Sequence, residues 1–342
     1  MIGLSDAYFV FGSAAPTERK MVNKQKCAVI GCGFVGSTIA YTLMSRGLFS
    51  EMVLIDANEK KAFGESMDLN RGLPFLSPML IKSGDYSDIS DAYIVIIAAG
   101  TGQKPGETRI ELVSRNTQIF KSIIPKITEV NRECILLVVT NPVDILTYVT
   151  LRISGFPANR VIGSGTVLDT GRLKYLVGEH LGVDSRNVHS FIIGEHGDSE
   201  LAVWSSANVS GIDLDDYCRI TGRKYDAQTL ESMYEQVRDS AYKIIEGKGA
   251  TYYAVAQATL RIVKSIVKNQ KSVLPVSSLV DGHYGLEGMC MGLPAIVGEN
   301  GVSALLEIPL NEDESQRLSN SAKVLKSVIS EIEPLLEPDA NA

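Results

Sequence analysis

The residues best suited to chemistry lie far apart along the chain. His196 stands in Ile193-Gly194-Glu195-His196-Gly197-Asp198, directly after an apolar run that reads as a strand. Asp169 and Arg172 are three residues apart in a helical pattern that starts near Thr166, so both project from one helix face. Arg109 ends a polar loop over 100–109 with glycines on both sides of its charged tip, and Asn141 follows a second buried run. An imidazole gives and takes a proton near neutrality because its ordinary pKa lies there. A guanidinium is a planar fork that matches a carboxylate bidentately. The set suits a site that moves a proton and holds an anion.

A second constellation is local. Residues 26–56 contain the apolar run Cys27-Ala28-Val29-Ile30, then Gly31-Cys32-Gly33-Phe34-Val35-Gly36, then a helical pattern (Ile39, Ala40, Leu43, Met44). Met52-Val53-Leu54-Ile55 follows and ends on Asp56. Strand, glycine turn, helix, strand, acid is the order a dinucleotide site requires. Gly31 permits the tight turn, Gly33 removes a Cβ from the path of a pyrophosphate, and Gly36 lets the helix approach the sheet. The helix N-terminus offers free N–H groups and partial positive charge to phosphates. Asp56, twenty residues past Gly36, can accept hydrogen bonds from both ribose hydroxyls and would repel a 2′-phosphate. NAD is therefore expected over NADP.

These side chains need elements to position them. A helix is expected over 59–69, ending near Gly72 and Pro74, and a weaker strand around Met79-Leu80-Ile81. The continuous apolar run 93–99 reads as a buried parallel strand. A helix follows from Ile110, broken or kinked near Pro125. Buried strands are expected at 134–139, before Thr140-Asn141-Pro142-Val143-Asp144, and at Val161-Ile162-Gly163. This alternation predicts an α/β fold: a doubly wound parallel (Rossmann) sheet over 21–165. From Asn187 the character changes, with a strand over 188–193 and apolar runs at 273–280 and 289–298. That predicts an α+β substrate domain over 166–335 with mainly antiparallel strands. The last helix begins at Asn311, with Glu314 completing a capping box, and is expected to stop at Pro334. Residues 1–20 read as a mobile leader, with Met21 a plausible start, and 336–342 as a flexible tail.

Bulk properties narrow the function classes. The chain has 342 residues, enough for two ordinary domains, and its 45% hydrophobic and 21% charged content fits a soluble globular protein. A net charge of −7 without long basic runs argues against nucleic acid as the main partner. Apolar runs are of strand length, so no membrane span is expected. Five cysteines without CxxC spacing suggest free thiols in a reducing compartment, hence a cytoplasmic location, with Cys32 a small packing residue. The four histidines lack paired ligand spacing, so no metal site is expected.

The glycine turn and the segments 102–109, 140–144, 168–172 and 193–198 together resemble the NAD-dependent L-lactate dehydrogenases of bacterial type, in the lactate/malate dehydrogenase superfamily. The resemblance runs in order from about residue 24 to about 335. It implies reversible hydride transfer between NADH and pyruvate, giving L-lactate and NAD, in a glycolytic, fermentative setting. His196 would donate the proton to the carbonyl oxygen, Asp169 orient its ring and stabilise imidazolium, and Arg172 bind the carboxylate. Arg109, on a closing loop, would polarise the carbonyl and exclude water. Asn141 would donate to the carbonyl or position cofactor and histidine, and Thr251 would line the substrate pocket. Gly31, Gly33, Phe34, Val35, Gly36, Asp56, Ala99, Gly100 and Asn141 would contact NAD.

Malate dehydrogenases share most of this pattern, and Gln103 is the deciding position. Oxaloacetate's second carboxylate calls for an arginine there, because burying an unpaired carboxylate is costly, whereas neutral glutamine tolerates pyruvate's methyl group. The resemblance also implies a homotetramer and, at a subunit interface, activation by fructose 1,6-bisphosphate through Lys174 and His189. Lys174 keeps the charge of the family's arginine but not its fork. The competing readings are a malate or other 2-hydroxy-acid dehydrogenase and, from another class, a non-catalytic protein retaining the fold.

Overall fold

The computed structural model describes residues 21–102 and 106–337. The first half alternates strand and helix: β1 (Asn23–Ile30), α1 (Phe34–Arg46), β2 (Glu51–Ile55), α2 (Glu59–Gly72), β3 (Leu80–Ser83) and β4 (Ala92–Ile97). Then come α3 (Arg109–Val130), β5 (Ile135–Val138), α4 (Val143–Ser154), β6 (Val161–Gly163) and α5 (Val167–Leu181). The second half holds β7 (Val188–Ile193), β8 (Leu201–Val209), β9 (Ile212–Asp213), α6 (Leu214–Thr221), α7 (Ala227–Lys248) and α8 (Tyr253–Val267). It closes with β10 (Ser272–Asp281), β11 (Glu287–Gly298), β12 (Gly301–Leu305) and α9 (Glu312–Leu336).

Among the described residues the strands form a nine-stranded sheet, ordered β12-β11-β10-β6-β5-β4-β1-β2-β3, and a three-stranded sheet, β7-β8-β9. β1 to β6 are parallel neighbours, as their apolar runs required, because both faces are covered by helices. Along β1, Cys27 and Val29 join one core layer while Ala28 and Ile30 join the other. A third core lies among α5, α6, α7, β7 and β8, around Leu173, Val177, Ile192, Val209 and Val237.

The strands over 273–280 and 289–298 are antiparallel, as expected, and they join the sheet of the first half; two helix expectations are corrected. β10 pairs with β6 at Ser277 and Gly163, and β11 and β12 follow it, so they extend the parallel sheet. Hydropathy marks a strand but not its neighbour, which pairing at long range decides. The helix through Pro125 is not broken. The ring costs about 3 kcal/mol, while Phe120, Ile123, Ile124 and Ile127 are buried at about 1.5–3 kcal/mol each. Packing wins. Likewise α9 passes Pro334 and ends at Leu336, held by the buried Ile329 and Ile332.

Caps behave as read. Asn311 and Glu314 form the capping box of α9, and Thr108 with Glu111 forms one at α3, which starts at Arg109. All five cysteines are free and buried. No helix among the described residues is long and apolar enough to cross a membrane.

Candidate active site

The glycine turn leaves β1 at its carboxyl end, where ligands bind in open α/β sheets. Gly31 has φ +96°, and a Cβ there would lie 2.5 Å from Ala99 N. A Cβ on Gly36 would collide with the Gly31 carbonyl oxygen. Gly33 differs: a Cβ there meets nothing within 4 Å. Its openness serves no protein neighbour, which is the cradle a pyrophosphate needs beside the α1 N-terminus. Asp56 is half-buried; its Oδ2 accepts from Cys32 N at 2.7 Å and its Oδ1 from Asn58 N at 2.9 Å. The acid is thus tied to the turn, with lone pairs remaining on both oxygens. The residues present fit a dinucleotide.

Opposite the turn, the base of the loop after β4 is clamped by Asn116, wholly buried in α3. Its Oδ1 accepts from Thr101 N at 2.9 Å, and its Nδ2 donates to Thr101 O at 3.1 Å and Asn141 O at 2.9 Å. The segments after β4 and β5, with Gly100 and Asn141, are thereby tied together at the carboxyl ends of these central strands.

His196 is positioned by both sheets. β7 leads into Gly194, whose backbone exchanges hydrogen bonds of 2.9 and 3.0 Å with Gly292 of β11. His196 N then donates to Asp144 Oδ2 at 2.7 Å, fixing the backbone against α4. On α5, Asp169 bridges two partners: His196 Nδ1 lies 2.6 Å from its Oδ2, and Arg172 Nη1 donates to its Oδ1 at 3.0 Å. The Asp169–Arg172 ion pair is buried, at 3% and 14% side-chain exposure, so it is no solvated surface pair.

Arg172 Nη2 is buried and has no hydrogen-bond partner among the described residues. With Nδ1 engaged by Asp169, Nε2 is the ring nitrogen left to exchange a proton. Burial works against charge on His196, but the Asp169 charge and hydrogen bond outweigh it. Glu200 and Asp144 add to the effect, and the ring is raised to about 9. Burial likewise resists charge on Asp169, yet His196 and Arg172 hold it below the usual carboxylate range. Asp144 is pushed upward by burial.

These groups meet in a cleft of about 400 Å³ whose lining includes Val35, Gly100, Asn141, Arg172, His196 and Thr251. A roomier hollow, about 720 Å³, lies between α5, α7 and α8, but it is apolar and lacks the histidine. The smaller cleft is the candidate site, because the His196 imidazole lines it. At its rim the Phe34 ring stacks on Tyr252, with centroids 5.4 Å apart, joining the turn to the segment carrying Thr251.

Arg109 does not line this cleft; it is ion-paired with the buried Glu195. Gln103 lies outside the described residues. Lys174 is half-buried on α5, its pKa lowered by burial and by the Arg261 cation, and His189 is exposed on β7. Sequence reasoning passed over Asn116, Asp144, Glu195 and Glu200. Asp144, Glu195 and Glu200 lie inside a motif or within two residues of one, whereas Asn116 sits among polar residues of α3 and only its burial marks it.

Family models for the lactate/malate dehydrogenase NAD-binding domain and for its alpha/beta C-terminal domain match residues 25–163 and 166–335. The chain belongs to the lactate/malate dehydrogenase family. It is an NAD-dependent oxidoreductase of that family. It is 57% identical over 309 residues to the L-lactate dehydrogenase of Acetivibrio thermocellus, covering 90% of this chain and 98% of the relative. It is 52% identical to L-lactate dehydrogenase 1 of Clostridium acetobutylicum over 312 residues, 91% and 100% of the two chains. Among solved structures, a lactate dehydrogenase from a Medee basin deep-sea metagenome library matches with TM-score 0.87 and 44% identity, over 90% of this chain and 99% of the other. The minor L-lactate dehydrogenase of Enterococcus mundtii matches with TM-score 0.87 and 41% identity, over 90% and 98%. The doubly wound sheet, expected from the alternation of strands and helices, and NAD as cofactor, expected from the glycine turn and Asp56, agree with these matches.

Proposed function

We propose that this dehydrogenase interconverts pyruvate and L-lactate. The observation that carries the reading is the division of labour around Asp169. One carboxylate holds His196 through Nδ1 and half of the Arg172 fork, leaving Arg172 Nη2 buried without a partner among the described residues, and both side chains line the same cleft. An unpaired buried guanidinium nitrogen is costly unless an anion joins it. A 2-oxo acid supplies that carboxylate and presents its carbonyl to the histidine.

NAD, when bound, supplies or accepts the hydride. In the reduction direction Arg172 holds the substrate carboxylate and His196 Nε2 gives its proton to the carbonyl oxygen. Asp169 keeps the ring oriented and its cation stabilised. Asn141 and Thr251 shape the pocket around the reacting carbon. Arg109 leaves Glu195 to polarise the carbonyl as the loop comes down. The turn residues, with Asp56, Ala99 and Gly100, hold the dinucleotide. Domains over 21–165 and 166–335 carry the two halves of the site.

The names of the relatives and the neutral Gln103 support pyruvate over oxaloacetate. The test is NADH oxidation with each oxo acid in parallel, using the native chain and Gln103→Arg. Pyruvate preference that moves toward oxaloacetate in the variant is expected; native preference for oxaloacetate overturns the assignment. A cytoplasmic homotetramer is the assembly we propose, supported by exposed apolar side chains such as Phe63, Phe75 and Tyr253. Sedimentation showing a monomer sinks it. Lys174, beside the Arg261 cation on one side of α5, and the exposed His189 of β7 are the groups that would take a bisphosphate activator. A calorimetric titration with fructose 1,6-bisphosphate that shows no heat, and no change in pyruvate KM, removes that part.

A further inference from the structure

Glu200 is an acid that the reaction above does not use. It follows the histidine by four residues, directly precedes β8, and is 4% exposed. One carboxyl oxygen of Glu200, one ring nitrogen of His196 and one oxygen of Asp169 all lie within 4.8 Å of one another. Glu200 Oε1 is buried without a hydrogen-bond partner among the described residues. A carboxyl placed so, beside a carboxylate, cannot ionise cheaply. A divalent cation does not suit this trio, because both Asp169 oxygens are engaged and Arg172 adds a positive charge.

We propose that Glu200 is a positioning residue that shares the protons of the His196–Asp169 pair, so that the three side chains titrate as one set. The inference rests on His196 being the proton carrier.

The groups around Glu200 define the balance. Asp169 and Arg172 reach it from α5, His196 and Asp198 from the segment before β8. From α7, Tyr234 donates its hydroxyl to the Glu200 carbonyl, and Arg238 lies over that ring. Arg317 of α9 and Glu231 act on Tyr234 from further out. Burial, then Asp169, push the Glu200 carboxyl well above its usual range, while His196 and Arg172 pull the other way. When a substrate carboxylate meets Arg172, the cation that favoured an ionised Glu200 is partly neutralised, and Glu200 keeps its proton. When His196 then gives up its proton, a neutral Glu200 leaves Asp169 as the one anion of the trio. At high pH the ionised Glu200 instead holds the proton on His196. Carboxyl and imidazole so buffer each other's charge.

The test is a pH titration of the imidazole nitrogens of the native chain by ¹⁵N NMR, with His196 assigned among the four histidines by its absence in His196→Asn. Two inflections are expected for His196, one its own and one from Glu200. In Glu200→Gln the second vanishes and the main one falls by about half a pH unit or more. A single inflection in the native chain overturns the proposal, as does an unchanged curve in the variant. The native titration decides even if the variant does not fold, and it decides even if no 2-oxo acid is reduced. Where pyruvate is reduced, the alkaline limb of kcat/KM in Glu200→Gln moves down by the same amount. A uniform fall at every pH marks a packing role and counts against sharing.

Discussion

The glycine turn and the histidine pocket face each other across one cleft, yet they are built by different physics. The turn is contiguous, and its constraints are contacts between backbone atoms. Gly31 abuts Ala99, Gly36 abuts Gly31, and Gly33 is open. The pocket draws Asn141 and Asp144 from around the start of α4, Asp169 and Arg172 from α5, and His196 and Glu200 from around β7 and β8. Its constraints are charge and hydrogen bonding in a dry interior, where partners matter more than shape. The contrast teaches that the turn is shaped by absent atoms, whereas the histidine pocket is shaped by present ones.

Removing a present atom should therefore hurt most. Asp169→Asn takes away the charge that lifts His196, so kcat/KM for pyruvate should fall roughly 10²–10⁴-fold, with NADH affinity nearly unchanged by fluorescence. Its alkaline limb should move from about 9 to below the ordinary 6.5, because burial is then unopposed by its largest counterweight. The sign for stability follows. A ring raised to about 9 contributes fully below its unfolded value near 6.5 and loses that contribution as pH climbs through about 9. Urea midpoints of native protein across that window should drop, and the drop should shrink in the variant.

Arg172→Lys keeps the charge and loses the fork. We expect pyruvate KM to rise roughly 10- to 100-fold, with a smaller change in kcat. A KM within twofold of native would mean that Arg172 serves Asp169 alone.

The two glycines sharpen the other side of the comparison. Gly36→Ala forces a Cβ onto a carbonyl oxygen and should cost about 3 kcal/mol of unfolding free energy. Gly33→Ala enters open space, so stability should stay within about 1 kcal/mol of native while NADH affinity falls about tenfold or more (1.4 kcal/mol per factor of ten). Equal destabilisation by both would erase the distinction. The smallest effect belongs to Phe34→Ala, which removes the stack on Tyr252 and should cost about 0.5–1.5 kcal/mol, seen as a few-fold change in pyruvate KM.

Much of this was legible in the chain itself. The order of apolar runs predicted β1, β2, β4 and β5, because a strand buried on both faces must be apolar throughout. The glycine turn and the capping box at Asn311 are local chemistry, complete within a few residues. The helix face shared by Asp169 and Arg172 follows from helical geometry alone. Tertiary structure decided the rest. It chose β6 as the neighbour of β10, carried α3 through Pro125, and set Asp144 under the backbone of His196. It also made an acid of unremarked type, Glu200, a neighbour of His196 and Asp169. Sterics and hydrogen bonds within a turn act between residues adjacent in sequence, so the sequence alone specifies them. Burial and charge act between residues adjacent in space, and only the folded chain brings those together.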